Sequence, residues 1–277
     1  MRMLFKGFEK RAIAKATLGA GIGLGAGYAS AKKEVEVSNL KEDALPESKN
    51  LSEFTKALLP GDIIYSGAKY KKLDLMAESD RMMALGFETI PRLGGSTNFH
   101  AMVYSGKGKV LDVSRDREDH RAKEVNLKEK VKGRNKKEYS MIAYRPIGGT
   151  PEETQAAVRE ARSLMGSKYP GNSALVTKSI KTLLGVPGRK DDIKASADDI
   201  VCQDVAVKAY PDKFRKRHLT VAEMQYNKNF TPVAKTGRFD YNKKERGIAN
   251  TTYPILKSIR GGIQGLIAGG ALDLAHK

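Results

Sequence analysis

The sequence predicts an α+β fold flanked by Gly-rich extensions, and three observations carry that prediction. Short apolar, β-branched runs at 62–66, 98–114 and 139–144 read as strands. Longer stretches at 150–165, 172–184 and 200–210 carry helical spacing or helix-boundary residues. Outside this middle region, 16–31 and 255–275 are apolar and rich in glycine and alanine.

The most informative stretch runs from Asn98 to Ser114. Two apolar runs joined by Ser105-Gly106-Lys107-Gly108 read as a β-hairpin. Alternation along a strand puts Phe99, Ala101 and Val103 on one face and His100, Met102 and Tyr104 on the other. Asp112 shares its face with Val110 and Ser114, so closing the hairpin can bring its carboxylate beside the His100 imidazole.

Taken in order, the chain begins with a basic arm bearing Arg2, Lys6, Lys10, Arg11 and Lys15. The sixteen residues Ala16–Ala31 follow. They admit three readings: a secretory signal with an Ala29-Ser30-Ala31 cleavage site, a membrane-active helix with a stripe of Gly19, Gly23 and Gly27, or a flexible arm ordered by a partner. The stretch is shorter than the ~20 residues that span a bilayer unaided. Membrane or partner contact ranks ahead of the signal. Residues 34–50 read as a polar linker. Leu51–Leu59 is a short helix ended by Pro60, and Pro60-Gly61-Asp62 is a turn into a strand at 62–66. Leu73–Leu85 is a helix, and Pro91–Thr97 a loop leading to His100.

Residues 115–137 are mostly charged and read as a solvated excursion that carries a surface His120. A strand at 139–144 stops at Pro146. Thr150-Pro151-Glu152-Glu153 is a helix start, with Thr as N-cap and Pro at the first helical position. That helix runs to about Met165. Another covers Asn172–Leu184, followed by a polar loop at 189–199. Ile200–Tyr210 is a helix with Val201, Val205 and Ala209 on one stripe, and Cys202 falls in or near its first turn. There the helix dipole favours a thiolate, an effect that Asp198 and Asp199 oppose if they point at the sulfur. After Pro211 the chain is basic and weakly patterned until the second Gly-rich segment. The domain organisation is therefore an arm and linker at 1–50, a folded middle at 51–225 and a basic tail at 226–277.

Composition narrows function by exclusion. The net charge of +18 favours polyanions such as nucleic acid, anionic lipid or an acidic wall polymer. No zinc-finger spacing, RNP-like aromatic pattern or zipper heptad accompanies it, so specific nucleic-acid binding is not expected. One cysteine excludes an internal disulfide and a multi-Cys zinc site, and the four histidines lack metal-ligand spacing. No metal and no cofactor are expected.

Cys202, His100 and Asp112 have the residue types of a nucleophile, a base and the acid that orients it. Each also has a plainer fate: a buried small hydrophobe, a satisfied strand residue and a turn-adjacent carboxylate.

Four landmarks in order tip the balance. They are Leu59-Pro-Gly-Asp-Ile-Ile-Tyr65, the His100 strand running into Tyr104-Ser-Gly-Lys-Gly-Lys-Val-Leu-Asp112, Gly166-Ser-Lys-Tyr169 closing a helix, and Cys202-Gln-Asp-Val-Ala-Val-Lys-Ala heading another. This arrangement resembles the circularly permuted branch of the papain-like NlpC-type superfamily of peptidases and amidases, over residues 51–225. Permutation is implied because His precedes Cys. The resemblance implies an antiparallel sheet packed on helices, Cys202 as nucleophile, His100 as general base and Asp112 as its orienter. It also implies Tyr169 near the thiol and the Cys202 N–H as one oxyanion donor. Many relatives carry Ser and then an acidic residue after the Cys, where this chain has Gln203 and Asp204.

The function expected is a cysteine hydrolase of amide bonds, acting on bacterial peptidoglycan peptides. The Gly-rich ends at 12–31 and 253–275 would meet a membrane or larger assembly. A phage virion protein active during cell entry combines these features, in a virion or cell-envelope setting beside other virion proteins. A secreted form is expected if 1–31 is a signal. Two alternatives remain: a thioesterase or acyltransferase acting on lipid, and a catalytically silent structural or membrane-penetrating protein on the same fold.

Overall fold

The computed structural model describes residues 25–68, 100–114, 119–132, 139–171, 174, 177–178, 182, 193, 199–214, 219–236 and 251–262. The expected helix at 73–85, the loop at 91–97 and Phe99 lie outside these residues. So do Asp198 and most of 172–184 and 189–199.

The protein is α+β, with a mixed sheet at its centre. In chain order the described elements are α1 (25–43), β1 (Glu47–Ser48), α2 (Leu51–Lys56), β2 (Ile63–Ala68), β3 (His100–Gly106), β4 (Lys109–Asp112), β5 (Lys123–Asn126), α3 (Leu127–Lys132), β6 (Tyr139–Pro146), α4 (Pro151–Arg162), α5 (Cys202–Ala209), α6 (Val221–Gln225), β7 (Phe230–Thr236) and α7 (251–262). The strands form one sheet in the order β1-β7-β6-β2-β3-β4-β5. Every pairing is antiparallel except β1 with β7, which is parallel.

The central strands are buried on both faces, which explains the unbroken apolar runs Ile63-Ile64-Tyr65 and Met141-Ile142-Ala143-Tyr144. One face carries Ile63, Tyr65, Ala101, Val103 and Leu111, covered by Ala157 and Ala161 of α4 and by Val205 and Ala206 of α5. The other carries Ile64, Met102, Tyr104 and Val110, covered by Phe54 of α2 and Leu127 of α3. Burying an apolar side chain of this size contributes about 1.5–3 kcal/mol.

The hairpin pairs Val103 with Leu111 and Tyr104 with Val110. Its tip, Lys107-Gly108, has positive φ at both residues, 51° and 73°, as a two-residue turn compatible with strand twist requires. The α4 start forms as its residues dictate. Thr150 Oγ1 accepts from the Glu153 N–H at 3.2 Å, and Pro151 takes a position whose N–H needs no partner.

Three regions differ from expectation. Residues 115–137 hold β5 and α3, whose Leu127 is fully buried. The dense charge belongs to one exposed side of these elements and hides the few apolar residues, Leu127 with Val125 and Val131, that pack inward. The linker read at 34–50 is helical through residue 43, on a stripe of Ala31, Val35 and Ser38 turned to the protein. That stripe mixes small and polar residues, so hydropathy does not flag it. Beyond residue 225 the chain supplies β7, so the sheet continues past the expected end of the middle region. Among the described residues no helix is long and apolar enough to cross a membrane.

Candidate active site

His100 is the first residue of β3 and Asp112 the last of β4, so both stand at the open end of the hairpin, away from its tip. His100 Nε2 lies 2.5 Å from Asp112 Oδ1. The carboxylate is fully buried and the ring nearly so, with side-chain exposures of 0% and 13%. Asp112 also faces a cation: Lys130 Nζ from α3 lies 3.1 Å from Oδ2 and donates to Ser114 Oγ at 2.8 Å. A carboxylate held on both oxygens has little rotational freedom, so it fixes the ring it touches.

With Nε2 engaged by Asp112, Nδ1 is the nitrogen left for a partner on the other side of the ring. The other group that acts on the ring is Cys202, the first residue of α5, both as a hydrogen-bonding side chain and as a charge. α5 packs directly on β3. Burial pulls the His100 pKa down, but the combined charges and hydrogen bonds of Asp112 and Cys202 outweigh it and lift the ring to about 9. The ring is therefore in its imidazolium form at neutral pH.

At the start of α5 the acid of the first turn, Asp204, is engaged by a backbone N–H and a lysine. Asp204, completely buried, accepts from the Val201 N–H at 3.0 Å and from Lys178 Nζ at 2.6 Å. Lys178 also donates to the Asp199 carbonyl at 2.6 Å. Asp204 thus caps its own helix and neutralises a buried lysine. Gln203 holds the other unusual place: the Cys202 thiol donates to its Oε1 at 3.1 Å. The sulfur therefore lies between an amide oxygen and the His100 ring.

Tyr169 is partly buried against the core cluster that includes Cys202, and its N–H donates to the His120 carbonyl at 2.7 Å. The preceding residue, Lys168, accepts from the Ile200 N–H at 3.1 Å, which lays this segment beside the approach to Cys202. His120 is exposed and remote in role.

Sequence reasoning missed Lys130, Gln203 and Lys178. Lys130 sits among like charges, Lys178 in a weakly patterned helix, and neither has a local motif. Gln203 is visible only as a departure from the family pattern. Among the described residues no cluster of three His, Cys, Asp or Glu is placed to hold a metal ion.

Set against known proteins, the chain matches no protein-family model and no curated protein.

Proposed function

We propose that this protein is a cysteine hydrolase of amide bonds on a permuted papain-like, NlpC-type fold, with bacterial peptidoglycan peptides as substrate. The observation that carries this reading is the meeting of Cys202, His100 and Asp112 from three separate elements. A sulfur at a helix start, an imidazole against it and an acid on the far ring nitrogen is the arrangement that thiol hydrolysis needs.

The sulfur, already paired as thiolate with the protonated His100 ring, attacks the carbonyl carbon of the substrate amide. The Cys202 N–H at the head of α5 donates to the oxyanion. Collapse breaks the C–N bond, and the imidazolium gives its proton to the departing amine. Water, deprotonated by the same ring, then hydrolyses the thioester and frees the sulfur. Asp112 holds the ring and supports its charge throughout, and Tyr169 packs against the core cluster that includes Cys202. The charge of +18 suits an anionic envelope polymer, and a virion or envelope setting follows from that substrate.

The competing reading, a silent structural protein on the same fold, draws on the burial of Cys202, which is 5% exposed. Zymography on purified cell wall separates the two. Wild-type protein should clear the wall and Cys202→Ala should not. Equal clearing, or none from either protein, rejects the hydrolase. A lipid thioesterase or acyltransferase would instead release acyl chains from vesicles without clearing wall.

A further inference from the structure

Gln203 stands between two residues whose places are fixed. Before it, Cys202 opens α5, which packs on β3. After it, the buried Asp204 carboxylate accepts from the Val201 N–H at 3.0 Å and from Lys178 Nζ at 2.6 Å. These contacts pin the backbone at 201–204, and the Gln203 side chain turns from it toward the nucleophile. Its Oε1 lies 3.1 Å from Cys202 Sγ. Capping of α5 does not use this carboxamide, because Asp204 supplies the cap.

The charge on the sulfur decides which end of the carboxamide faces it. A thiol donates to Oε1. Paired with the protonated His100 ring, however, the sulfur is a thiolate, which accepts hydrogen bonds and has none to give. An amide oxygen at 3.1 Å would set its lone pairs against that anion, whereas an amide nitrogen would donate to it. Half a turn about the last side-chain bond exchanges the two atoms with no change in the shape of the group. Beside the thiolate, Gln203 therefore presents N–H to the reacting atom.

The same N–H is placed for the step that follows. As the sulfur bonds to the substrate carbonyl carbon, the π electrons of the C=O bond move onto its oxygen, which ends two bonds from the sulfur. A donor already touching the sulfur needs a small swing to meet that oxygen at the roughly 2.7–3.1 Å an oxyanion contact requires. No proton changes hands in this contact. His100 is committed elsewhere, with Nε2 engaged by Asp112 and a proton due to the departing amine.

We propose that the Gln203 carboxamide is a catalytic residue: it donates to the Cys202 thiolate in the resting site and then, beside the Cys202 N–H, to the oxyanion. The proposal rests on the cysteine-hydrolase reading and adds to it the side chain that holds the developing charge.

Release of new amino groups from purified cell wall, measured beside iodoacetamide labelling of Cys202, tests it. Gln203→Met keeps the length of the side chain and removes the donor. It should cut the maximal rate of amine release about 100-fold or more, with the half-saturating wall concentration changed less than about threefold. Its labelling rate should stay within about threefold of wild type, because alkylation passes through no oxyanion. Gln203→Glu sets a carboxylate against the sulfur, so it should label more slowly at neutral pH and release no more amine than Gln203→Met. In the wild-type proton spectrum, a Gln203 carboxamide signal, identified by its absence from Gln203→Glu, should lie downfield and move upfield when Cys202 is alkylated. Full activity in Gln203→Met, equal losses in labelling and amine release, or a carboxamide signal indifferent to alkylation would each overturn the proposal and leave the hydrolase standing. A wild-type protein that releases no amine would defeat both.

Discussion

At the scale of single residues, His100 has the most to lose from a change of pH. Its ordinary pKa of 6.5 is lifted to about 9 in the fold, where burial is outweighed by Asp112 and Cys202. A group whose pKa rises on folding stabilises the native state fully below its unfolded value, and that stabilisation disappears as pH climbs through the folded value. The melting-temperature difference between wild type and His100→Gln should therefore be largest below about pH 6.5 and vanish above about pH 9. A pH-independent difference would contradict the ring's charged state. Thiol alkylation reports the same pair: iodoacetamide should label Cys202 near neutral pH, and His100→Ala should slow labelling by about tenfold or more. A second residue-scale test concerns Asp62, fully buried and bound bidentately by Arg145, with Nε and Nη2 each 2.8 Å from a carboxylate oxygen. Arg145→Met strands that carboxylate and should cost about 3 kcal/mol in urea unfolding, the lower end for a broken buried pair because Arg145 is 28% exposed.

At the scale of elements, the turn before β2 shows how tightly the site's scaffold is specified. Gly61 adopts φ 95°, and a Cβ there would lie 2.6 Å from Tyr210 Oη and 2.9 Å from Thr154 Cβ. Its carbonyl also accepts from Tyr210 Oη at 2.8 Å, tying the loop after α5 to the turn before β2. Gly148 also has positive φ, 69°, but its Cβ would meet nothing within 4 Å. Gly61→Ala should thus cost more than Gly148→Ala, which carries only the backbone strain of about 1–3 kcal/mol. Chemical denaturation of the two variants measures the difference, and equal losses would show that the packing around Gly61 yields.

At the scale of the whole molecule, the sheet draws its strands from both ends of the described chain. β7 lies between β1 and β6, and Phe230 at its start stacks on Phe214 with ring centroids 5.1 Å apart. A chain ending at residue 225 would leave the edge of β6 unpaired and Phe214 uncovered. Such a truncation should lose its cooperative thermal transition, seen by circular dichroism. A sharp, native-like transition would mean that 51–225 folds alone. α1 is bound to the same body by Glu42, whose carboxylate accepts from Tyr144 Oη and, at 2.9 Å, from Gln225 Nε2.

What the sequence determined by itself was local. Alternation separated Ala101 and Val103 from Met102 and Tyr104, turn chemistry bent the chain at Lys107-Gly108, and Thr150-Pro151 started a helix. Hydrogen bonds and side-chain periods of a few residues leave a direct trace in neighbouring letters. The tertiary structure decided what no neighbour encodes: that α5 lays Cys202 against His100, that Lys130 from a charged stretch grips Asp112, and that α1, α7 and β7 belong to the body. Those contacts join residues far apart in the chain. They are selected by the burial of whole faces, and a face burying a leucine and two valines amid lysines looks in sequence like solvent-exposed loop.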